Sequence, residues 1–384
     1  MAKKRVGILF GGKSVEHEVS LQSARNVYES IDKTKFEVVL IGIDKTGSWH
    51  VCDAALLASA SSPSAELAAG AAGESLALVP GETDRALVGT GSHRGLPKLD
   101  VVFPVLHGTY GEDGTVQGLL KLAGVPFVGA GVLGSAVGMD KDIAKRLLRD
   151  AGIPVARSVT LTMHTAADTT FEALAAKLGA PFFVKPANSG SSVGVSKVRD
   201  AAGWTAARAE ALRYDRKLLA EEFIQGREIE VAVLGNDDPQ ASVPGEIVPQ
   251  HDFYSYEAKY LDENGARLCI PAELTPEVSA RVRQLAVETF KVLECAGMAR
   301  VDFFVCADGR AYVNEINTIP GFTKISMYPK LWEVTGVPYA ALIERLLALA
   351  LERHQRETQI ETSYTGPSVA EEHKSATTAQ AAKP

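Results

Sequence analysis

One short stretch near the end of the chain constrains it most. Apolar runs at Val301 to Cys306 and Ala311 to Ile316 flank Asp308-Gly309, a pair that accepts positive φ at both central positions of a two-residue hairpin loop. With those two residues as the loop, Asp302 is expected to face Glu315, Arg300 to face Asn317 and Phe304 to face Val313, all on one side of the ribbon. Val301, Phe303, Val305, Tyr312 and Ile316 are left to pack on the other side. Two carboxylates set directly opposite each other repel, and they are costly to desolvate unless a cation lies between them. Asp, Glu and Asn oxygens are the hard ligands that Mg²⁺ takes together with phosphate oxygens. The plain alternative is an exposed hairpin in which Arg300 merely neutralises Asp302 and Glu315, but that leaves the Asn317-Thr318-Ile319-Pro320-Gly321 exit without a purpose.

At 384 residues the chain is long enough for two or three domains. Its net charge of −7 carries no long basic block. That argues against nucleic acid or an anionic membrane surface as a partner and leaves a locally bound small anion open. Cys52, Cys269, Cys295 and Cys306 are scattered, with no pair at metal-ligand or redox spacing, so they read as free thiols in a reducing compartment rather than as a zinc site. The basic start runs into one short strand and Gly11-Gly12, without the apolar core of a secretory signal or a membrane span. A soluble, cytoplasmic protein is expected.

The opening reads as a βαβ unit. Arg5 to Phe10 is an apolar, β-branched run closed by Gly11-Gly12, helical spacing begins near Glu18 with Val19, Ala24, Val27 and Ile31, and Phe36 to Ile43 repeats the strand signal. The loops of such a unit lie at the carboxyl edge of a parallel sheet, where ligands bind. Glu16 lies in the first loop, either as a carboxylate suited to a helix N-terminus or as a ligand contact. Gly11-Gly12-Lys13-Ser14 lacks the spacing of a dinucleotide fingerprint. Ala54 to Gly73 is of low complexity and reads as a surface excursion. Leu99 to Leu106 is a further strand ending at His107-Gly108, and a helix with Val116, Leu119, Leu120 and Leu122 follows Gly111-Glu112-Asp113-Gly114. His107 is thus a hydrogen-bonded loop histidine or a catalytic one. Val125 to Val128 is expected as a short strand, and Asp140 is expected to cap a helix running to about Ala151. Lys141 then occupies the positive end of that helix. It either faces solvent or meets an anion such as phosphate.

Phe182 to Lys185 reads as a strand, and Ser189-Gly190-Ser191-Ser192-Val193-Gly194 leads into Val195 to Val198. Such a turn offers N–H groups and hydroxyls to phosphate beside the Lys185 charge, or is only a flexible hairpin. Leu218 to Ile224 is a strand carrying Glu221 and Glu222, and Glu228 to Leu234 another. Pro249 to Ala266, with Tyr254, Tyr256 and Tyr260, has no apolar periodicity and is a candidate lid. Thr275 to Leu293 and Tyr339 to Leu351 have helical spacing. Beyond about Arg356 the polar, Ala-rich composition predicts a disordered tail.

Taken together, Gly11-Gly12 with Glu16-His17-Glu18-Val19-Ser20, His107-Gly108, Gly111-Glu112-Asp113-Gly114, Met139-Asp140-Lys141, Ser191-Ser192-Val193-Gly194, Glu257-Ala258-Lys259-Tyr260, Arg300-Val301-Asp302 and Asn314-Glu315-Ile316-Asn317-Thr318 resemble the D-alanine:D-alanine ligases of the ATP-grasp superfamily, over roughly the first 350 residues and in that family's order. The resemblance implies a mixed α/β and α+β fold. An N-terminal parallel βαβ domain at 1–138, with a variable insertion at 54–95, would precede an ATP-grasp fold of two α+β lobes at 139–235 and 236–356, followed by a tail at 357–384. It also implies an enzyme, a carbon-nitrogen ligase that uses ATP to join two D-alanine molecules through an acyl phosphate for peptidoglycan precursor synthesis. Two Mg²⁺ ions, replaceable by Mn²⁺, would assist, and a homodimer with no nucleic acid or membrane partner is expected.

Residue by residue, the resemblance implies that Lys141 and Lys185 bind ATP phosphates, with Ser191, Ser192 and Asn314 beside them. Glu221, Glu222, Phe223 and Ile224 would line the adenine site, and Glu228 would meet the ribose. Asp302, Glu315 and Asn317 would hold metal. Arg300 and the Gly321 N–H would stabilise the tetrahedral intermediate. Glu16 would hold the first substrate's ammonium, in a hydrogen-bonded set with Ser191 and Tyr260. His107 would lie near substrate, and Lys259, Ser326 and Met327 near the second substrate's carboxylate. Other readings are a different ATP-grasp carboxylate-amine ligase, a D-alanine:D-lactate ligase, which in this family carries Phe where Tyr260 stands, and a nucleotide-binding regulatory protein without turnover. Intact Asp302, Glu315, Asn317 and Arg300 argue against the last.

Overall fold

The computed structural model describes residues 2–58, 74–81, 87–92, 95–249, 266–361 and 363. The expected lid, with Lys259 and Tyr260, the expected tail beyond 363 and most of the 54–73 excursion fall outside them. The chain builds three sheets. The first has the order β5-β4-β3-β2-β1-β6, from β1 (Lys4–Gly11), β2 (Phe36–Ile43), β3 (Trp49–Cys52), β4 (Ser75–Leu78), β5 (Leu87–Gly89) and β6 (Val101–Pro104). β1 runs parallel to both β2 and β6, and α1 (His17–Ser30) crosses from β1 to β2, as the opening pattern predicts. Covered on both faces, β1 buries six of its eight residues and therefore reads as a continuous apolar run. A short helix, α2 (Ala54–Ala58), and α3 (Thr115–Leu122) flank this sheet.

Two helices, α4 (Val132–Met139) and α5 (Lys141–Asp150), lead to the second sheet. The Asp140 side chain accepts from the Asp142 and Ile143 N–H groups, the N-cap that the sequence predicts. The second sheet is antiparallel, in the order β7-β10-β8-β9, from β7 (Ser158–Thr162), β8 (Phe182–Pro186), β9 (Ser196–Val198) and β10 (Lys217–Glu222). Helices α6 (Met163–Asp168), α7 (Phe171–Leu178) and α8 (Ala201–Ala211) cover it. The third sheet contains β11 (Arg227–Gly235), β12 (Gln240–Ala241), β13 (Gly245–Pro249), β14 (Ala266–Cys269), β15 (Gly297–Val305) and β16 (Ala311–Asn317). Its order is β14-β13-β11-β15-β16, with β12 against β11. Helices α9 (Pro276–Val292), α10 (Met327–Thr335) and α11 (Tyr339–Glu357) complete the fold.

The apolar cores divide unevenly. One core joins Val6, Ile8 and Phe103 of the first sheet to Leu234 and Met298 of the third through Leu342, Ile343 and Leu346 of α11. The second sheet keeps a core of its own around Phe182, Trp204 and Leu218. In the described residues the two ends of the chain thus share buried apolar side chains, whereas the middle sheet closes its own. Among the described residues no single helix is long and apolar enough to cross a membrane.

Several expectations change: the strand expected over Leu99 to Leu106 is Val101–Pro104, and that expected over Leu218 to Ile224 ends at Glu222. Val125 to Val128 makes a single bridge, Val102 to Phe127, rather than a strand. Pro126 offers its carbonyl but has no N–H with which to extend a ladder. The last helix runs to Glu357, six residues beyond Leu351.

The hairpin is also not the regular one expected. Cys306 N–H donates to Arg310 O at 2.8 Å and Gly309 N–H to Cys306 O at 2.9 Å, so the loop is the three residues Ala307-Asp308-Gly309. Only Gly309 of the Asp-Gly pair takes positive φ, at 84°, the arrangement of a three-residue loop with glycine in the left-handed position. The register near the loop therefore moves by one. Phe304 faces Tyr312, not Val313, and Val313 faces Phe303. A bulge between Asp302 and Phe303 then absorbs Asn314 as the extra residue, which restores Asp302 opposite Glu315 and Arg300 opposite Asn317. In consequence Tyr312 leaves the apolar side, and Ala311 and Val313 take the buried positions.

Candidate active site

The hairpin pairs with β11, and this extends the carboxylate pair to a row. Glu230 of β11 stands opposite Asp302 of β15, which stands opposite Glu315 of β16. Arg300 lies among them. Its Nε and Nη2 each reach Asp302 at 2.7 Å, and Nε also approaches Glu230 at 3.0 Å. Asn317 donates to Asp302 at 3.0 Å. Lys141 approaches Glu315 at 3.1 Å and donates to the Ser189 carbonyl at 2.8 Å. The acidic face is therefore matched by cations brought from other elements. Among the described residues no three His, Cys, Asp or Glu side chains form a metal cluster. Two carboxylates with one amide nevertheless suit a cation that completes its shell with phosphate oxygens.

Between the second and third sheets lies a cleft of about 290 Å³. Lys141, Lys185, Ser191, Ser192, Glu221, Glu222, Phe223, Ile224, Glu228, Asn314 and Glu315 all line it. Lys185 donates to Asn314 at 3.2 Å and pairs with Glu221 at 2.5 Å. The bulge thus turns Asn314 into the cleft beside Glu315. Burial works to raise the Glu221 pKa, but Lys145 and Lys185 outweigh it and hold the carboxyl below its ordinary range. Glu222 is held by Arg157 at 2.6 Å. At the apolar end the Lys197 amine stands 3.8 Å from the Phe223 ring centroid, and the Phe183 and Phe223 rings are 5.9 Å apart. A flat aromatic base and a chain of phosphates would meet matching chemistry at the two ends.

The first sheet contributes the third side. Glu16, at the N-cap of α1, is buried, and its carboxylate accepts a hydrogen bond from the Ser191 hydroxyl. It fits between two glycines. A Cβ on Gly108, at φ 73°, would come within 2.4 Å of Glu16 Oε2, and one on Gly190 within 2.9 Å. Ser191 and Ser192 both take positive φ, at 52° and 60°, which brings the loop onto Glu16.

His107 and Glu112 bind the segment that follows the hairpin. His107 Nδ1 lies 2.9 Å from the Ile319 carbonyl and Nε2 lies 3.0 Å from the Ser23 hydroxyl. Burial pushes its pKa down to about 4, so the ring is neutral, with the Nδ1 proton donated to the carbonyl. Glu112 accepts from the Ile319 and Gly108 N–H groups, each at 2.8 Å. Burial, aided by the Glu16 charge, pushes its pKa up to about 8.

Comparison with known proteins adds to this geometry. The family models described as D-ala D-ala ligase N-terminus and D-ala D-ala ligase C-terminus match residues 5–130 and 147–348. The chain is 57% identical over 364 residues to the D-alanine--D-alanine ligase of Shouchella clausii, covering 94% of this chain and 99% of that one. This chain belongs to the D-alanine–D-alanine ligase family. It is also 53% identical to D-alanine--D-alanine ligase A of Escherichia coli strain K12, over 94% of this chain and 100% of that protein. The solved D-alanine-D-alanine ligase from Coxiella burnetii superposes with a TM-score of 0.84 at 40% identity, covering 94% of this chain and 97% of that one. A D-Ala:D-Ser ligase from Enterococcus faecalis superposes at 0.81 and 35%, covering 91% and 100%.

As a member of the D-alanine–D-alanine ligase family, an ATP-dependent ligase, the chain brings most of its expected site residues together, but not all. Ser326 accepts from Thr323 N–H at 2.9 Å and stands beside Gly321, where a Cβ would meet its hydroxyl at 2.8 Å. The Met327 side chain is buried against Gly245, a core position. His107 uses both ring nitrogens to clamp protein groups. Lys259 and Tyr260 lie outside the described residues. The residues that reading the sequence missed are Lys145, Glu230 and Lys197. Glu230 was readable, since it alternates with Glu228 on one face of a strand, and Lys145 follows Lys141 by one helical turn.

Proposed function

We propose that this ligase joins two D-alanine molecules. ATP transfers its terminal phosphoryl group to the carboxylate of the first. The amine of the second attacks the acyl carbon and loses a proton, the bond from that carbon to the phosphate oxygen breaks, and the dipeptide, ADP and phosphate leave. The observation that carries this reading is the Glu16–Ser191 hydrogen bond, because it sets a buried carboxylate suited to an ammonium group against the loop that lines the nucleotide cleft.

In this reading Lys141 and Lys185 neutralise the phosphates, Lys197 and Phe223 border the base, and Glu16 holds the first ammonium. Arg300 is held by Glu230, an anchor it keeps when Asp302 turns to a metal ion, so its charge is in place before substrate arrives. A preorganised cation of this kind stabilises the oxyanion without reorganising during the reaction. The Gly321 N–H would share that task. Mg²⁺ bound by Asp302, Glu315 and Asn317 would supply further neutralisation of the transferring phosphoryl group. Remaining steps need positioning and exclusion of water. The family reading also implies a cytoplasmic protein and a homodimer, and light scattering on the purified chain would measure the latter.

The test is phosphate release and product analysis with ATP, Mg²⁺ and a panel of D-alanine, D-serine, D-lactate and L-alanine. D-Alanyl-D-alanine as main product is the expected result. A mixed product with D-serine or D-lactate would move the assignment to the other ligases of this fold, and nucleotide binding without phosphate release would make the chain a binding protein.

A further inference from the structure

Lys145 sits one turn after Lys141 on α5, and both side chains leave the helix toward the nucleotide cleft. They end differently. Lys141 lines the cleft, whereas Lys145 is 1% exposed and lies behind the wall that Glu221 forms. Lys145 pairs with one carboxylate oxygen of Glu221, and Lys185 takes the other at 2.5 Å while donating to Asn314. Burial, and after it the neighbouring Lys185 charge, lowers the Lys145 pKa, and the Glu221 and Glu315 charges oppose that change.

One buried carboxylate needs one cation to be neutralised, and each further buried charge costs free energy. Here there are two ammonium groups to one carboxylate. With both lysines protonated and Glu315 matched by Lys141, the cluster retains a unit of positive charge at the cleft wall. Without Lys145, Glu221 and Lys185 would form a closed neutral pair, and the lysine that faces the phosphates would be cancelled by its own neighbour.

We propose that Lys145 is a positioning residue for nucleotide binding, which occupies one oxygen of Glu221 so that Lys185 keeps its charge for phosphate. The proposal rests on the ATP reading of the cleft and deepens it. Lys145 touches neither base nor phosphate and acts through Glu221 alone.

Calorimetric titration of the full chain with Mg·ATP and, separately, with adenosine tests this, because only the first ligand carries phosphates. The readout is the ratio of the two affinities. Lys145→Met should reduce the preference for Mg·ATP over adenosine by about ten-fold or more, since an unbalanced charge near phosphate is removed. Adding Glu221→Gln to that variant should restore the preference, because Lys185 is again unopposed, even if adenosine itself binds less well. An unchanged ratio in Lys145→Met overturns the proposal, and so does a lowered ratio that the second substitution fails to restore. If Lys145→Met does not fold, Lys145→Gln with and without Glu221→Gln is compared in the same way and judged by the same outcomes. A wild-type chain that does not bind Mg·ATP would overturn the ATP reading itself, a result distinct from any failure of Lys145.

Discussion

The Ser191 hydroxyl donates to the Glu16 carboxylate across 175 positions of sequence, and that bond joins the phosphate-side loop to the first sheet. Charge, and not only shape, is what Glu16 offers an amino-acid ammonium. Glu16→Gln should raise the KM for the first D-alanine by roughly 10- to 100-fold, the range of a lost charge-assisted hydrogen bond, and leave the KM for ATP nearly unchanged. A variant that loses ATP affinity and keeps its D-alanine KM would make Glu16 a nucleotide-side or structural residue.

Glu315 faces Asp302 and also meets Lys141. Glu315→Gln keeps the size of the side chain while removing a charge from the expected metal face. Ligation should fall by about three orders of magnitude, as when an electrostatic element of a transfer site is removed, while the melting temperature stays close to that of the wild type. Ordinary activity at ordinary Mg²⁺ would remove Glu315 from the metal site.

Arg300 is anchored by Glu230 rather than left to follow the substrate. Its contribution should therefore appear at the transition state. Arg300→Met is expected to lower kcat by about 100- to 1,000-fold, the scale of a lost oxyanion donor, with a much smaller change in the KM for ATP. The reverse pattern would assign Arg300 to ground-state binding.

Glu112 and His107 predict opposite responses of stability to pH. With the Glu112 pKa pushed up to about 8 from the usual 4.5, the folded chain holds a proton that the unfolded chain has released, so this contribution is full at low pH and is lost as pH rises toward 8. His107, pushed down to about 4 from 6.5, contributes stability that is full above 6.5 and is lost as pH falls toward 4. Between pH 6.5 and 8 only the first of the two acts. Thermal melts across that window should show a decline for the wild type that Glu112→Gln flattens. Parallel slopes for the two proteins would mean that Glu112 does not titrate there.

Part of the architecture is local and readable in the sequence. Phe36 to Ile43 forms a strand with those same limits, and Asp140 caps its helix through its own side chain. Such features depend on side-chain periodicity and on backbone groups a few residues away. The carboxylate pair was readable as well, but for a reason that is only partly right. Asp302 meets Glu315 through a three-residue loop and a bulge that offset each other, not through the regular two-residue turn that Asp308-Gly309 suggests.

By itself, then, the sequence determined the opening βαβ unit, the Asp140-capped helix, the chemistry of the hairpin and, through its motifs, the family, while β7, β13, α7, α8 and α10 carried no signal that was read. Only the tertiary structure decided which of those charges meet. Lys145 looks like any helix lysine until β10 brings Glu221 against it. Glu230 gains meaning when β11 pairs beside β15, and His107 is committed on both nitrogens once residues 319–322 fold over α1. The physical reason is the range of the forces involved. Periodicity and capping act over a few residues, whereas the pairing of buried charges depends on which sheets exclude water from the same volume.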